Sequence, residues 1–180
     1  MRPIMRPIML AVSVIGTACS DEVSSSPTSP TSAVFARAQA KAQDDAQVPF
    51  RGSFTAADQG VVVPPHLLVH GTGGGNATHL GRFTVTYSAV ADLATPTATG
   101  TFDFVAANGD QLHTTFAGVA AVSPDPTVVS FTEVLTIVGG TGRFAGATGT
   151  FTLRRTGVVD FATGRSTSTG SFEGHLTLND

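Results

Sequence analysis

The sequence contains one cysteine, Cys19, one tyrosine, Tyr87, and no tryptophan. A single cysteine excludes an internal disulfide, so any folded part must be held by its core alone. Lysine is nearly absent, Lys41 being the only one, and no run of basic residues occurs along the chain. Nucleic-acid affinity rests on Lys and Arg neutralising phosphates, so a nucleic-acid partner is disfavoured, as is electrostatic docking to anionic lipid. No stretch sustains apolar residues at i, i+3, i+4 and i+7, which argues against amphipathic helices. The apolar segment Ile8–Ile15 is far shorter than the roughly 20 residues of a membrane-spanning helix.

That segment has another meaning. A basic start (Arg2, Arg6), the apolar stretch and then Gly16-Thr17-Ala18-Cys19 follow the order of a signal peptide. Cys19 stands where a lipoprotein leader is cut and its thiol acylated, although Gly16 replaces the leucine usual three residues earlier. The expectation for 1–19 is therefore a lipoprotein-type leader, with Cys19 as the lipidation site and a cell-envelope location outside the cytoplasm. The alternative is ordinary cleavage near Ala18 and a secreted, soluble product. Met1-Arg2-Pro3-Ile4 is repeated as Met5-Arg6-Pro7-Ile8, so Met5 is a second candidate start. Without Arg2 and Arg6, eight basic residues face thirteen acidic ones, a formal charge of −5.

Residues 20–47 are rich first in Ser, Thr and Pro, then in Ala and Gln. Such a composition buries little and reads as a tether, on the order of 30 Å long as a coil. The folded domain is expected at 48–180, an ordinary single-domain size. There the pattern has period two: Phe83, Val85, Tyr87, Ala89 and Ala91 alternate with polar residues, as do Val129, Phe131, Leu135 and Ile137. The twenty glycines suit turns and tight corners between strands.

Two features add topology. At Asn108-Gly109 a three-residue loop ending in a left-handed Gly109 pairs Phe104 with Leu112 and makes Asp103 and His113 cross-strand neighbours. Gly81–Thr95 also repeats as Gly149–Thr163 at an offset of 68 residues, with seven of fifteen positions identical. Each copy reads as a strand, a turn after Asp92 or Asp160, and a returning strand. The whole predicts a single antiparallel closed β-barrel of about eight strands, because closure removes exposed sheet edges.

The stretch Gly139-Gly140-Thr141-Gly142-Arg143-Phe144-Ala145-Gly146-Ala147-Thr148-Gly149 resembles the glycine-rich motif of allene oxide cyclases and dirigent proteins. Asn76–Thr84 is similar to bacterial proteins with an allene oxide cyclase barrel-like domain. The resemblance covers roughly 50–178 and implies an eight-stranded antiparallel barrel with an apolar interior cavity. It does not carry cyclase activity, since the first strand, Val48–Thr55, lacks the Glu and Asn of the plant enzymes. Fold fixes architecture and the site fixes function.

Glu133 is the one weak catalytic candidate: it lies between Phe131 and Leu135 on a face that would point inward, where a carboxylate could act as acid or base. The expected cavity lining is Phe83, Tyr87, Phe102, Phe104, Phe131, Glu133 and Leu135. Gly139, Gly140, Gly142, Gly146 and Gly149 are expected to turn the chain while Phe144 tucks back as a plug. Gly71–Thr78 is expected as a glycine-rich loop. These glycines open no helix and carry no Gly-Lys-Ser/Thr, so they are not a phosphate loop. No histidine spacing enforces convergence on a metal, and neither metal nor cofactor is expected. Arg154 and Arg155, on opposite faces of one strand, read most simply as a surface pair, the alternative being that one of them enters the cavity and meets an anionic ligand. The expected role is an envelope-tethered barrel, held at the membrane only through its N-terminal lipid, that binds a small lipophilic ligand or serves as a structural module without catalysis. The alternative is an isomerase or cyclase acting on a lipophilic, fatty-acid-derived substrate.

Overall fold

A computed structural model of the chain describes residues 47–179, so the expected leader, Cys19 and the tether up to Ala46 lie outside the described residues. Eight strands follow one another: β1 (Gln47–Val63), β2 (His66–Ala77), β3 (Gly81–Asp92), β4 (Thr97–Ala106), β5 (Gln111–Val122), β6 (Val128–Gly140), β7 (Thr148–Asp160) and β8 (Arg165–Thr177). Each pairs antiparallel with its sequence neighbours, and β1 pairs with β8 to close the barrel. The fold is all-β, as the period-two pattern predicts.

Local chemistry sets the register. Gly109 takes φ +90°, its N–H donates to the Ala106 carbonyl at 2.9 Å, and Phe104 faces Leu112 while Asp103 faces His113. This is the three-residue hairpin. Between β5 and β6 the register shifts at His113/Thr114, and Val138 is the extra residue. Gly139 follows the bulge at φ +128°, and the 3₁₀ turn Gly142–Phe144 leads into β7. The two repeat copies become the hairpins β3–β4 and β7–β8, four strands apart in an eight-strand barrel.

Gly71–Ala77 is strand, which corrects the loop expectation. Glycine is needed there for close packing: a Cβ on Gly71 would lie 2.1 Å from Cζ of Tyr87, whose ring crosses over β2. The strand leaves room on its inner face for side chains from its neighbours.

The two ends of the barrel differ. Where β1 enters, Phe144, Phe50, Leu112, Leu80 and Leu176 are buried and seal the interior. Above them rings pack on rings, with centroids 5.0 Å apart for Phe50–Phe151, 5.2 Å for Phe102–Phe116 and 4.7 Å for Tyr87–Phe102. An apolar cavity running the length of the barrel, as the resemblance implies, is absent among the described residues, because rings fill this half. At the opposite end the inward-facing Leu67, Val69, Ala98, Ala120, Val129, Phe131 and Val159 are only half-buried. All four hairpin tips of that end expose apolar side chains, including Val62 at 60%, Leu93 at 53%, Val122 at 68% and Phe161 at 69%.

Candidate functional site

Strand alternation places one polar side chain from each of several strands at a common level. Inward positions on β6 run Phe131, Glu133, Leu135, and on β7 Leu153, Arg155, Gly157. Asp58 follows Phe54 and Ala56 on the inner face of β1, and Tyr87 follows Phe83 and Val85 on β3. Asp58 faces Gly71 on β2 and Ser166 on β8, while Gly71 faces Tyr87. The polar layer thus lies between the ring-filled half and the open end.

Arg155 organises it. Its Nε donates to Glu133 Oε2 at 3.1 Å and its Nη2 to Oε1 at 3.0 Å, a bidentate pair with side chains 6% and 3% exposed. Its Nη1 donates to the Tyr87 hydroxyl at 3.4 Å and lies 3.7 Å from Asp58 Oδ2. Tyr87 donates to that same Asp58 oxygen at 2.5 Å, and Ser166 donates to Oδ1. The guanidinium carbon sits 4.2 Å from the Phe131 ring centroid, so an aromatic face covers the cation from the open side. Ser168 is buried close to the Tyr87 hydroxyl, and its Oγ has no partner at full hydrogen-bond geometry among the described residues.

Burial disfavours charge on Arg155, but the attraction and hydrogen bonds of Glu133, with Tyr87 and Asp58, outweigh it and hold the guanidinium above its ordinary value. Burial first, and the neighbouring Asp58 next, push the Tyr87 phenol well up despite the opposing pull of Arg155. Both oxygens of each carboxylate are therefore engaged by the chain. The arrangement ties β1, β3, β6, β7 and β8 together and holds no free acid or base.

The cavity-lining candidates divide accordingly. Phe83, Phe102, Phe104 and Leu135 belong to the packed core, Tyr87 and Glu133 to the polar layer, and Phe131 is its half-buried cover. Arg155 points inward while Arg154 is 63% exposed, so the surface-pair expectation gives way to its alternative, one arginine in the interior, where Arg155 meets the chain's own Glu133. Sequence reasoning missed Asp58, although its spacing from Phe54 and Ala56 continues the inward alternation. The histidines stay apart: His66, His70 and His175 are exposed on outward positions, His79 sits in a turn at φ +64°, and His113 contacts Asp103 at 2.7 Å. Among the described residues no three His, Cys, Asp or Glu side chains group so as to hold a metal.

A groove of about 880 Å³ runs over the barrel wall, lined by outward residues that include Gln59, His70, Ser88 and Arg165 and also by Asp58, Gly71, Tyr87 and Ser166 at the level of the polar layer. A second, of about 420 Å³, is lined by Arg51, Ser53, Asn76, Thr152, Arg154 and Ser171, together with Glu173.

No family model matches the chain, and no curated protein matches it. Among solved structures it is similar to a pterocarpan synthase dirigent protein, at 14% identity and a TM-score of 0.47, over 74% of this chain and 86% of that one. At this identity the likeness concerns the fold alone.

Proposed function

We propose that this chain is an envelope-tethered, non-catalytic barrel that binds a small lipophilic molecule at its open end. The apolar character of that end carries the reading. Half-buried inward side chains from Leu67 to Val159 are reached by solvent, and exposed apolar residues crown all four surrounding hairpins. Exposed apolar side chains gathered at one end of a barrel suit an interaction site there. The ring-filled half limits the ligand to a short group lodged above the Phe131 cover. Catalysis has less support, since Glu133 is held bidentately by Arg155. The tether rests on Cys19 and the leader pattern.

Native mass spectrometry of the delipidated protein after exposure to cell-envelope lipid extract tests the binding. Retention of a lipid by the wild type, lost in Leu67→Asp and Val129→Asp variants that remain folded, is expected. Retention of nothing, or equal retention by the variants, would remove the lipophilic reading. Turnover of a candidate lipid that Glu133→Gln abolishes would instead make the protein an enzyme. Incorporation of an alkyne-labelled fatty acid that Cys19→Ala abolishes is the expected result for the tether.

A further inference from the structure

Six arginines lie among the described residues, and three are held by the chain. Arg155 is buried with its carboxylates, Arg143 donates to the His79 carbonyl and lies 3.9 Å from Asp110, and Arg165 donates to Gln59 at 3.4 Å. Of the rest, Arg51 and Arg154 line the same outer groove of about 420 Å³. Pairing registers assemble its wall: Arg154 faces Ser171 across β7–β8, Ser171 faces Ser53 across β8–β1, and Ser53 faces Asn76 across β1–β2. The third, Arg82, faces Asn76 and continues the row on β3.

Most polar side chains of this groove are free, and Glu173 is its one acid. Among the described residues no hydrogen bond engages the side chains of Arg51, Ser53, Asn76, Thr152 or Ser171, and Arg154 has only Glu173, 3.9 Å away and 80% exposed. The larger groove differs, because its principal polar groups are already committed. Gln59 donates to the Thr163 and Gly60 carbonyls, His70 bonds Ser88, and Arg165 is held by Gln59.

We propose that the groove between Arg51 and Arg154 binds a carboxylated, hydroxyl-rich saccharide. The two guanidinium groups rise from strands separated by β8 and are offset by two residues along them, so their backbones stand about 12 Å apart. The interval holds the hydroxyls of Ser53, Ser171 and Thr152 and one acid, Glu173, which faces Arg51, and the Asn76 amide lies beyond β1 on β2. A compact oxyanion needs converging donors, whereas a sugar acid presents carboxylates separated by hydroxyls that give and accept hydrogen bonds. Planar guanidinium suits carboxylate. The site is independent of the open end, being on the outer wall towards the sealed half.

Calorimetric titration of the full chain at low salt, with an oligogalacturonate and with its methyl ester as probes, tests this. The acid is expected to bind and the ester, which keeps the hydroxyls but loses the charge, to bind at least about tenfold more weakly, with affinity falling as salt is added. Arg51→Gln and Arg154→Gln are each expected to weaken binding about twofold to fivefold, the range of exposed ion pairs. Glu173→Gln is expected to strengthen it, an effect that a purely structural groove would not give. These side chains are exposed, so the variants fold, and circular dichroism checks it. No binding at low salt, equal binding of acid and ester, or indifference to both arginine variants would overturn the proposal. A single-stranded oligonucleotide of equal charge binding as tightly would overturn it too, since the surface would then read charge without sugar.

Discussion

Replacing Arg155 with methionine removes the only cation of the polar layer and strands Glu133 and Asp58, whose side chains are 3% and 8% exposed. Removing one partner of a buried ion pair costs about 3–5 kcal/mol, because the other charge stays buried without compensation. Two carboxylates lose a partner here, but Asp58 keeps hydrogen bonds from Tyr87 and Ser166, so most of the cost falls on Glu133. A loss of about 4 kcal/mol is expected for Arg155→Met. Against a total of roughly 5–15 kcal/mol for a single domain this is a large fraction, and Tm should fall by on the order of 10 °C. Glu133→Gln is milder, at about 2 kcal/mol, since Arg155 still lies 3.7 Å from Asp58. The double variant Arg155→Met/Glu133→Leu is expected to recover about 2 kcal/mol relative to Arg155→Met, because exchanging a whole buried pair for apolar side chains is often neutral or stabilising. Urea unfolding of the three variants at neutral pH measures each term. Arg155→Met within about 1 kcal/mol of wild type, or a double variant no more stable than Arg155→Met, would refute the layer as an ionic crosslink.

Three further outcomes follow from the same packing. Tyr87 is the only tyrosine, so the tyrosinate absorption band reports it alone; burial holds its folded pKa above the ordinary 10.0. That contribution to stability is therefore fully present below about pH 10 and is lost as pH rises further. The band should appear only as the fold melts, and Tyr87→Phe should flatten the alkaline loss; a band that develops near pH 10 in folded protein would contradict this burial. Gly71→Ala would place its Cβ 2.1 Å from Cζ of Tyr87, and a urea-unfolding loss of about 3 kcal/mol is expected from overpacking. Phe144→Ala empties the sealed end and should cost about 3–5 kcal/mol, whereas a loss below about 1 kcal/mol would mean that other side chains close the end.

The fold was legible wherever local chemistry dictates geometry. Alternation along Phe83 to Ala91 predicts β3, Asn108-Gly109 predicts its hairpin down to the Phe104–Leu112 pair, and the glycine-rich corner predicts a tight turn around a buried Phe144. The strand at Gly71–Ala77 was misread because glycine is both a loop former and the residue that makes room for a neighbouring ring. Its own segment does not say which, since the deciding atom, Cζ of Tyr87, belongs to another strand.

The polar layer failed to announce itself for a related reason, yet part of it was within reach. Arg155 and Tyr87 occupy equivalent positions of the 68-residue repeat, so they must share an orientation with respect to the barrel wall. The inward alternation of Phe83, Val85 and Tyr87 then dictates that Arg155 also points inward. An inward arginine in an apolar barrel requires buried carboxylates, and on the same alternation argument Asp58 and Glu133 are the inward ones. The contact across the interior, Nη1 of Arg155 to the Tyr87 hydroxyl at 3.4 Å, joins the two repeat copies. No such repeat links Arg51 to Arg154. They meet only because closing the barrel sets β8 between β1 and β7, so a chain without any basic run acquires a basic groove from its topology.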